Sequence, residues 1–199
     1  MNKFTPIILV FILILIFSCT EQLPLDKDLT KKSYQLINQD SLNVIFPDVI
    51  KGQITVMGFI FTHCPDICPM TTHNMFLTEK KLKEDGIDDV KFVALSFDPE
   101  RDTPEVLKKF AEARELDFSS WTLLTGERST INELLKRFDV KAIKTDEAID
   151  SSGNYEYSMM HTDRISLIDE NSRLKKNYVG SKLNVEELIK DIKLLKDKK

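Results

Sequence analysis

"QITVMGFIFTHCPDICPM", residues 53–70, runs an apolar segment straight into two cysteines four positions apart. From Ile54 to Phe61 branched and aromatic side chains predominate without polar alternation, the pattern of a strand buried on both faces. From Pro69 to Glu84, Met75, Leu77 and Leu82 recur among polar residues at loosely helical spacing, until Asp85-Gly86 ends the pattern. A buried strand that gives way to a helix puts the cysteines at the carboxyl end of a sheet. Open α/β folds place their sites there.

The same alternation continues downstream. "VKFVALSFD" (90–98) predicts a second buried strand. A helix follows it, with Thr103 as cap, Pro104 as first helical residue, and Val106, Leu107, Phe110 and Ala111 as its apolar face. "WTLLTG" (121–126) predicts a short strand, and 128–140 a helix with Ile131, Leu134, Leu135 and Phe138 on one side. A polar stretch covers 144–158. "DRISLID" and "KKNYVG" then predict two strands about a turn at Glu170-Asn171, and 184–196 a last amphipathic helix capped by Asn184. Strands alternating with helices predict one α/β domain with a mainly parallel sheet, covered on both faces, and an antiparallel edge from the late hairpin.

The N-terminus is a separate matter. After Lys3, the apolar run Ile7 to Phe17 is too short for a bilayer span, which needs about 20 residues, but suits a secretory leader. It ends in Ile16-Phe17-Ser18-Cys19, which resembles a bacterial lipobox. The expected organisation is a lipoprotein signal peptide at 1–18, a lipid-anchored tether at 19–35 starting from a lipidated Cys19, and a domain at 36–199. An uncleaved N-terminal anchor is the alternative. Either reading exports the domain to the cell envelope, tethered to a membrane and facing the periplasm or the cell exterior.

The 28 basic and 32 acidic residues are interspersed, so charge gives no reason to expect nucleic acid. Gly-rich phosphate loops and nucleophile elbows are absent from the sequence.

With Cys19 assigned to lipid, Cys64 and Cys68 remain, in an oxidising compartment. A bridge across so short a loop removes little chain entropy, so stabilisation is a poor reason for the pair and chemistry a better one. On a helix, positions four apart share a face with Cβ atoms about 5–6 Å apart. A disulfide needs them at about 3.8 Å, whereas a metal bridging two thiolates needs no such approach. Spacing therefore leans toward metal and leaves a redox-active dithiol open. Either Pro65 or Pro69 could open the helix, whose amino end favours thiolate. Two exported thiolates suit Cu(I), Cu(II) or zinc, with at least one further ligand. His63 adjoins Cys64. His73 is expected on the solvated side of the helix, and His161 precedes the "TDRISLID" strand.

"GFIFTHCPDICP", "LSFDPERDTPEVLKKFAE", "WTLLTG" and "MMHTDRISLID", in this order, resemble the SCO/SenC family of membrane-tethered copper proteins. The resemblance spans about residues 52–180. It implies a thioredoxin-like fold, with a central mixed sheet flanked by helices and an inserted β-hairpin. It implies copper, one per chain, held by Cys64, Cys68 and His161, and a role in assembling the binuclear copper centre of cytochrome c oxidase, with that enzyme's copper-bearing subunit or another copper or thiol protein as the partner. It also places Asp98 in an acidic loop near the copper, behind the ligands or facing a partner. Two departures stand out. Met160, preceded by Met159, occupies a position often held by Asp or Ser; core or loop packing is the expected role of both, with a soft thioether assisting Cu(I) transfer as the alternative for one of them. Asn171-Ser172 replaces a turn glycine, with Asn171 able to take positive φ.

A thiol–disulfide reductase acting on an oxidase subunit would use the same Cys64–Cys68 pair catalytically, without the histidine. A thiol peroxidase would want Thr where Phe61 stands.

Overall fold

The computed structural model describes residues 23–197 apart from 64–66, 150, 152 and 154; for 67 and 68 only the backbone is described. The leader, Cys19 and Cys64 therefore lie outside the described residues. Among the described residues no helix is long and apolar enough to cross a membrane.

The predicted strand at 53–62 is β4 (Thr55–Ile60), and all six of its residues are buried. It stands at the middle of a sheet because both its faces are apolar. β5 (Lys91–Ser96) and β6 (Trp121–Thr125) run parallel to it, in the order β4-β5-β6. The sheet extends on one side through β9 (Ile165–Ile168), β10 (Arg173–Tyr178) and β1 (Lys27–Asp28), and on the other through β2 (Tyr34–Asn38) and β3 (Asn43–Phe46). All of these added strands pair antiparallel. The parallel part is thus only the three central strands, and the sheet is mixed rather than mainly parallel. β7 (Ala142–Ile149) and β8 (Tyr155–His161) form a two-stranded sheet of their own, where the sequence suggested only a polar stretch. Their half-exposed, charge-rich faces hide the alternation that would have announced them.

Among the described residues four α-helices cover the sheet: α1 (Ile67–Glu84), α2 (Pro104–Glu112), α3 (Arg128–Arg137) and α4 (Val185–Lys196). Thr103 caps α2 through its hydroxyl with Pro104 just inside, and Asn184 caps α4, both as predicted. Ile131, Leu134, Leu135 and Phe138 are buried from the α3 side, where Phe138 meets Phe59 of β4 at 5.1 Å and Phe46 of β3 at 5.9 Å. This is the α/β arrangement expected, with helices against a central mixed sheet and an added hairpin.

Two local expectations need correction. The stretch assigned to the tether already belongs to the sheet from Lys27 onward, since β1 pairs with β10 and Leu29 is buried. In the turn after β9, positive φ falls on Ser172 (58°) and not on Asn171, whose N–H instead bonds to the Asp169 carboxylate at 3.0 Å.

Candidate metal centre

β4 ends at Ile60, and Phe61-Thr62-His63 carry the chain off the sheet toward the cysteine motif. α1 then opens at Ile67, with Cys68 as its second residue. Pro69 does not open the helix: it is the third residue of α1, where the missing N–H would have had no intrahelical acceptor, and Pro65 lies outside the described residues. The backbone of Cys68 lies in the first turn of α1, and the amino end of a helix in general favours thiolate.

His161 is the last residue of β8, at the end of the separate hairpin. Its ring packs at 4.7 Å on Phe97, just beyond β5, and edge-on at 6.4 Å to Phe61, three residues before Cys64. The hairpin thus delivers His161 to the carboxyl end of β4 and β5, against the segment that leads into the cysteines. Nδ1 of His161 lies 3.2 Å from the Thr162 carbonyl oxygen. A carbonyl only accepts, so Nδ1 carries the proton and Nε2 presents the lone pair a metal requires.

The other histidines are placed differently. His73 is exposed on α1 and stacks on Phe76 at 6.5 Å, the surface position expected. His63 is exposed, with Nδ1 3.1 Å from the Thr62 hydroxyl. That hydroxyl gives its one proton to Asp102, so His63 Nδ1 donates to it. Met159 packs against the core as expected, but Met160 does not: the residue is 66% exposed and stands opposite the exposed Ile143 in the hairpin register.

Asp98 is fully buried, which leaves it no surface for a partner to touch. Both its oxygens accept from the Tyr157 hydroxyl at 2.8 Å, and Arg128 donates to it at 3.1 Å. Burial, reinforced by this carboxylate, keeps the Tyr157 proton on well above the usual phenol range. Asp102, also fully buried, accepts from the Thr62 hydroxyl at 2.6 Å, from the Thr62 N–H at 3.1 Å, and from the Ser96 hydroxyl at 2.6 Å. Burial pushes the Asp102 carboxyl up, against the pull of these donors. Past His161, Asp163 accepts from Ser181 (N–H 3.0 Å, hydroxyl 2.6 Å) and from Thr71 of α1 at 3.3 Å.

Asp102, Tyr157 and Arg128 escaped the sequence reading. Tyr157 had a signal, because residues 157, 159 and 161 share one face of a strand. Asp102 had a weaker one: an acid four residues after Asp98, in a turn that follows a buried strand.

Residues 23–197 match the family model SCO1/SenC. The chain belongs to the SCO1/SenC family. It is 35% identical over 172 residues to the SCO1 protein homolog of Bacillus subtilis, covering 85% of this chain and 83% of that one. The solved structure of BsSco, described with a disulfide switch and as a member of the Sco family of cytochrome c oxidase assembly proteins, superposes with a TM-score of 0.72 at 32% identity, over 90% of this chain and 100% of that one. Bradyrhizobium japonicum ScoI, solved with copper bound, gives a TM-score of 0.69 at 29% identity, over 82% of this chain and 98% of that one. These relatives fix the fold as the thioredoxin-like one of the Sco proteins.

Proposed function

We propose that this SCO1/SenC chain is a membrane-tethered copper chaperone that takes copper on Cys64, Cys68 and His161 and serves assembly of the binuclear copper centre of cytochrome c oxidase. One observation carries the reading. His161, on a hairpin outside the main sheet, packs against Phe61 and Phe97 beside the entry to the cysteine motif, with its Nδ1 proton held by a carbonyl. A core histidine kept for packing needs no such placement. The donor set suits the ion, since two thiolates and an imidazole are soft-to-borderline ligands that favour copper. Three protein ligands rather than a closed cage of four leave a side open for transfer. The copper-bound relative and the oxidase-assembly relative support the same reading.

Copper titration of the full chain in detergent, wild type against His161→Ala, tests it. Loss of the histidine should weaken copper binding by at least about tenfold and change the visible spectrum. Unchanged affinity and spectrum would remove His161 from the ligand set.

A thiol–disulfide reductase working on the cysteines of an oxidase subunit is the second reading. The first-turn place of Cys68 and the disulfide switch described for BsSco favour it. A strongly reducing, fast-exchanging Cys64–Cys68 pair with negligible copper affinity would select it over the first.

The tether proposal rests on the leader and Cys19, and places the domain in the cell envelope on a lipid anchor. Cys19→Ala should move the protein from the membrane to the soluble fraction, with loss of a lipid-sized mass from the N-terminal peptide. A wild-type N-terminus that begins at Met1 and carries no lipid would end that proposal.

A further inference from the structure

We propose that the turn Asp98–Asp102 sets the spacing between the two halves of the metal site: Asp102 is a positioning residue for the cysteine loop, and Asp98, acting through Tyr157, for the His161 strand. The proposal rests on the copper reading above and extends it to residues that touch neither metal nor substrate.

The need for such a device follows from topology. β8, which carries His161, pairs only with β7 among the described strands, so no ladder of the main sheet fixes its register against β4. The cysteine loop begins where β4 has ended, so Thr62 has left the ladder as well. Two segments outside the sheet must still meet within the reach of one metal ion.

The turn grips both. On the cysteine side, the Asp102 carboxylate takes the N–H and the hydroxyl of Thr62, two residues before Cys64. On the histidine side, Asp98 takes the Tyr157 hydroxyl. Arg101, between them, donates to the Tyr157 carbonyl at 2.9 Å and lays its guanidinium 3.5 Å over the Tyr157 ring. The turn is braced internally. The Asp102 N–H bonds to the Asp98 carbonyl at 2.9 Å, and the Ser96 hydroxyl bridges the Asp98 N–H (3.0 Å) to the Asp102 carboxylate. Burying two carboxylates four residues apart opposes folding, and burial does raise the Asp102 carboxyl. An apolar pair would pack there at less cost but could not hold Thr62 and Tyr157 by directional bonds.

The two halves of the proposal separate by readout. In the metal-free full chain, Thr62→Val and Asp102→Asn should shift the Cys64–Cys68 dithiol–disulfide equilibrium against a reference dithiol by about fivefold, the weight of one net hydrogen bond. Tyr157→Phe should leave that equilibrium where it is in wild type. With copper added, Tyr157→Phe should weaken binding by about tenfold and alter the thiolate-to-copper absorption, as loss of a residue supporting a ligand does. Thr62→Val retains the backbone N–H and sits on a half-exposed residue, so it remains usable if Asp102→Asn fails to fold. The proposal falls if Thr62→Val leaves the thiol equilibrium unchanged. It also falls if every variant moves both readouts together in proportion to its loss of melting temperature, the mark of a merely structural turn. A wild-type chain that binds no copper would instead overturn the copper reading and the Tyr157 half, while the thiol arm would still decide the role of Asp102.

Discussion

Glu79 carries a carboxylate into the core on α1, where the Trp121 indole N–H donates to it at 2.6 Å, the Ser120 hydroxyl donates as well, and Lys83 pairs with it at 2.9 Å. Truncating it strands the N–H of a fully buried tryptophan. Glu79→Ala should therefore lower unfolding free energy by about 1–3 kcal/mol, and Glu79→Gln, which keeps an acceptor, by less. Urea denaturation followed by Trp121 fluorescence reads this, and equal losses for the two variants would refute it. The signal was partly present in the sequence, since Met75, Glu79 and Leu82 fall on one helical face; the acid among lysines reads as solvated until β6 brings Trp121 over it. Gly180 is a second case. A Cβ there would stand 2.7 Å from both Asp163 Oδ1 and Thr71 Oγ1, the contact that ties the loop after His161 to α1. Gly180→Ala should cost about 1–3 kcal/mol by overpacking and weaken copper binding, whereas Gly52→Ala, strained by its positive φ (82°) but with open space around it, should leave copper binding unchanged. Equal copper affinity in the two variants would break that link between Gly180 and the site.

At the scale of elements, helices were legible where local chemistry sufficed. Thr103, Pro104 and Asn184 mark their helix starts because a cap is satisfied by its own next turn. β1 was not legible: a two-residue strand has no period, and what holds it is remote. Leu25 and Leu29 donate backbone N–H groups to Lys175 and Ser172. Asp26 forms a two-pronged pair with Arg173 (2.7 Å to each oxygen) and a 2.7 Å contact with Lys175. These hydrogen bonds, Arg173 first, hold the exposed Asp26 carboxyl well below its usual value of 3.8. A carboxyl depressed in the folded state stabilises it above the unfolded value, and that support is lost as pH falls through the folded value. The N-terminal clamp should thus be intact at neutral pH and loosen in acid below the ordinary carboxylate range, and high salt should weaken it. Trypsin cleavage after Lys27 should accelerate in Asp26→Asn at pH 7. Cleavage no faster than in wild type would show that Leu29 burial alone holds the segment.

For the whole molecule, the α/β class followed from alternating periods, but strand order and the stand-off of β7–β8 did not. Among the described strands β7 and β8 pair only with each other, and the short inward face of Tyr157, Met159 and His161 is too slight to announce them, while hydrogen bonds such as Thr62 to Asp102 join residues that lie far apart in sequence. The same topology predicts how the protein opens. β4, β5 and β9 are flanked by ladders and buried at every residue but Lys91, so their amides should exchange only on global unfolding, whereas β7–β8, with Ile143, Ile149, Tyr155 and Met160 exposed, should open locally and exchange sooner. Copper held jointly by the cysteine loop and His161 would bind only the closed hairpin, so it should slow exchange in β8 more than in β1 or α4. Hydrogen exchange of the full chain with and without copper measures this. Uniform slowing across the sheet would mean that copper stabilises the fold without clamping the hairpin, and slowing confined to α1 would place the metal on the cysteines alone.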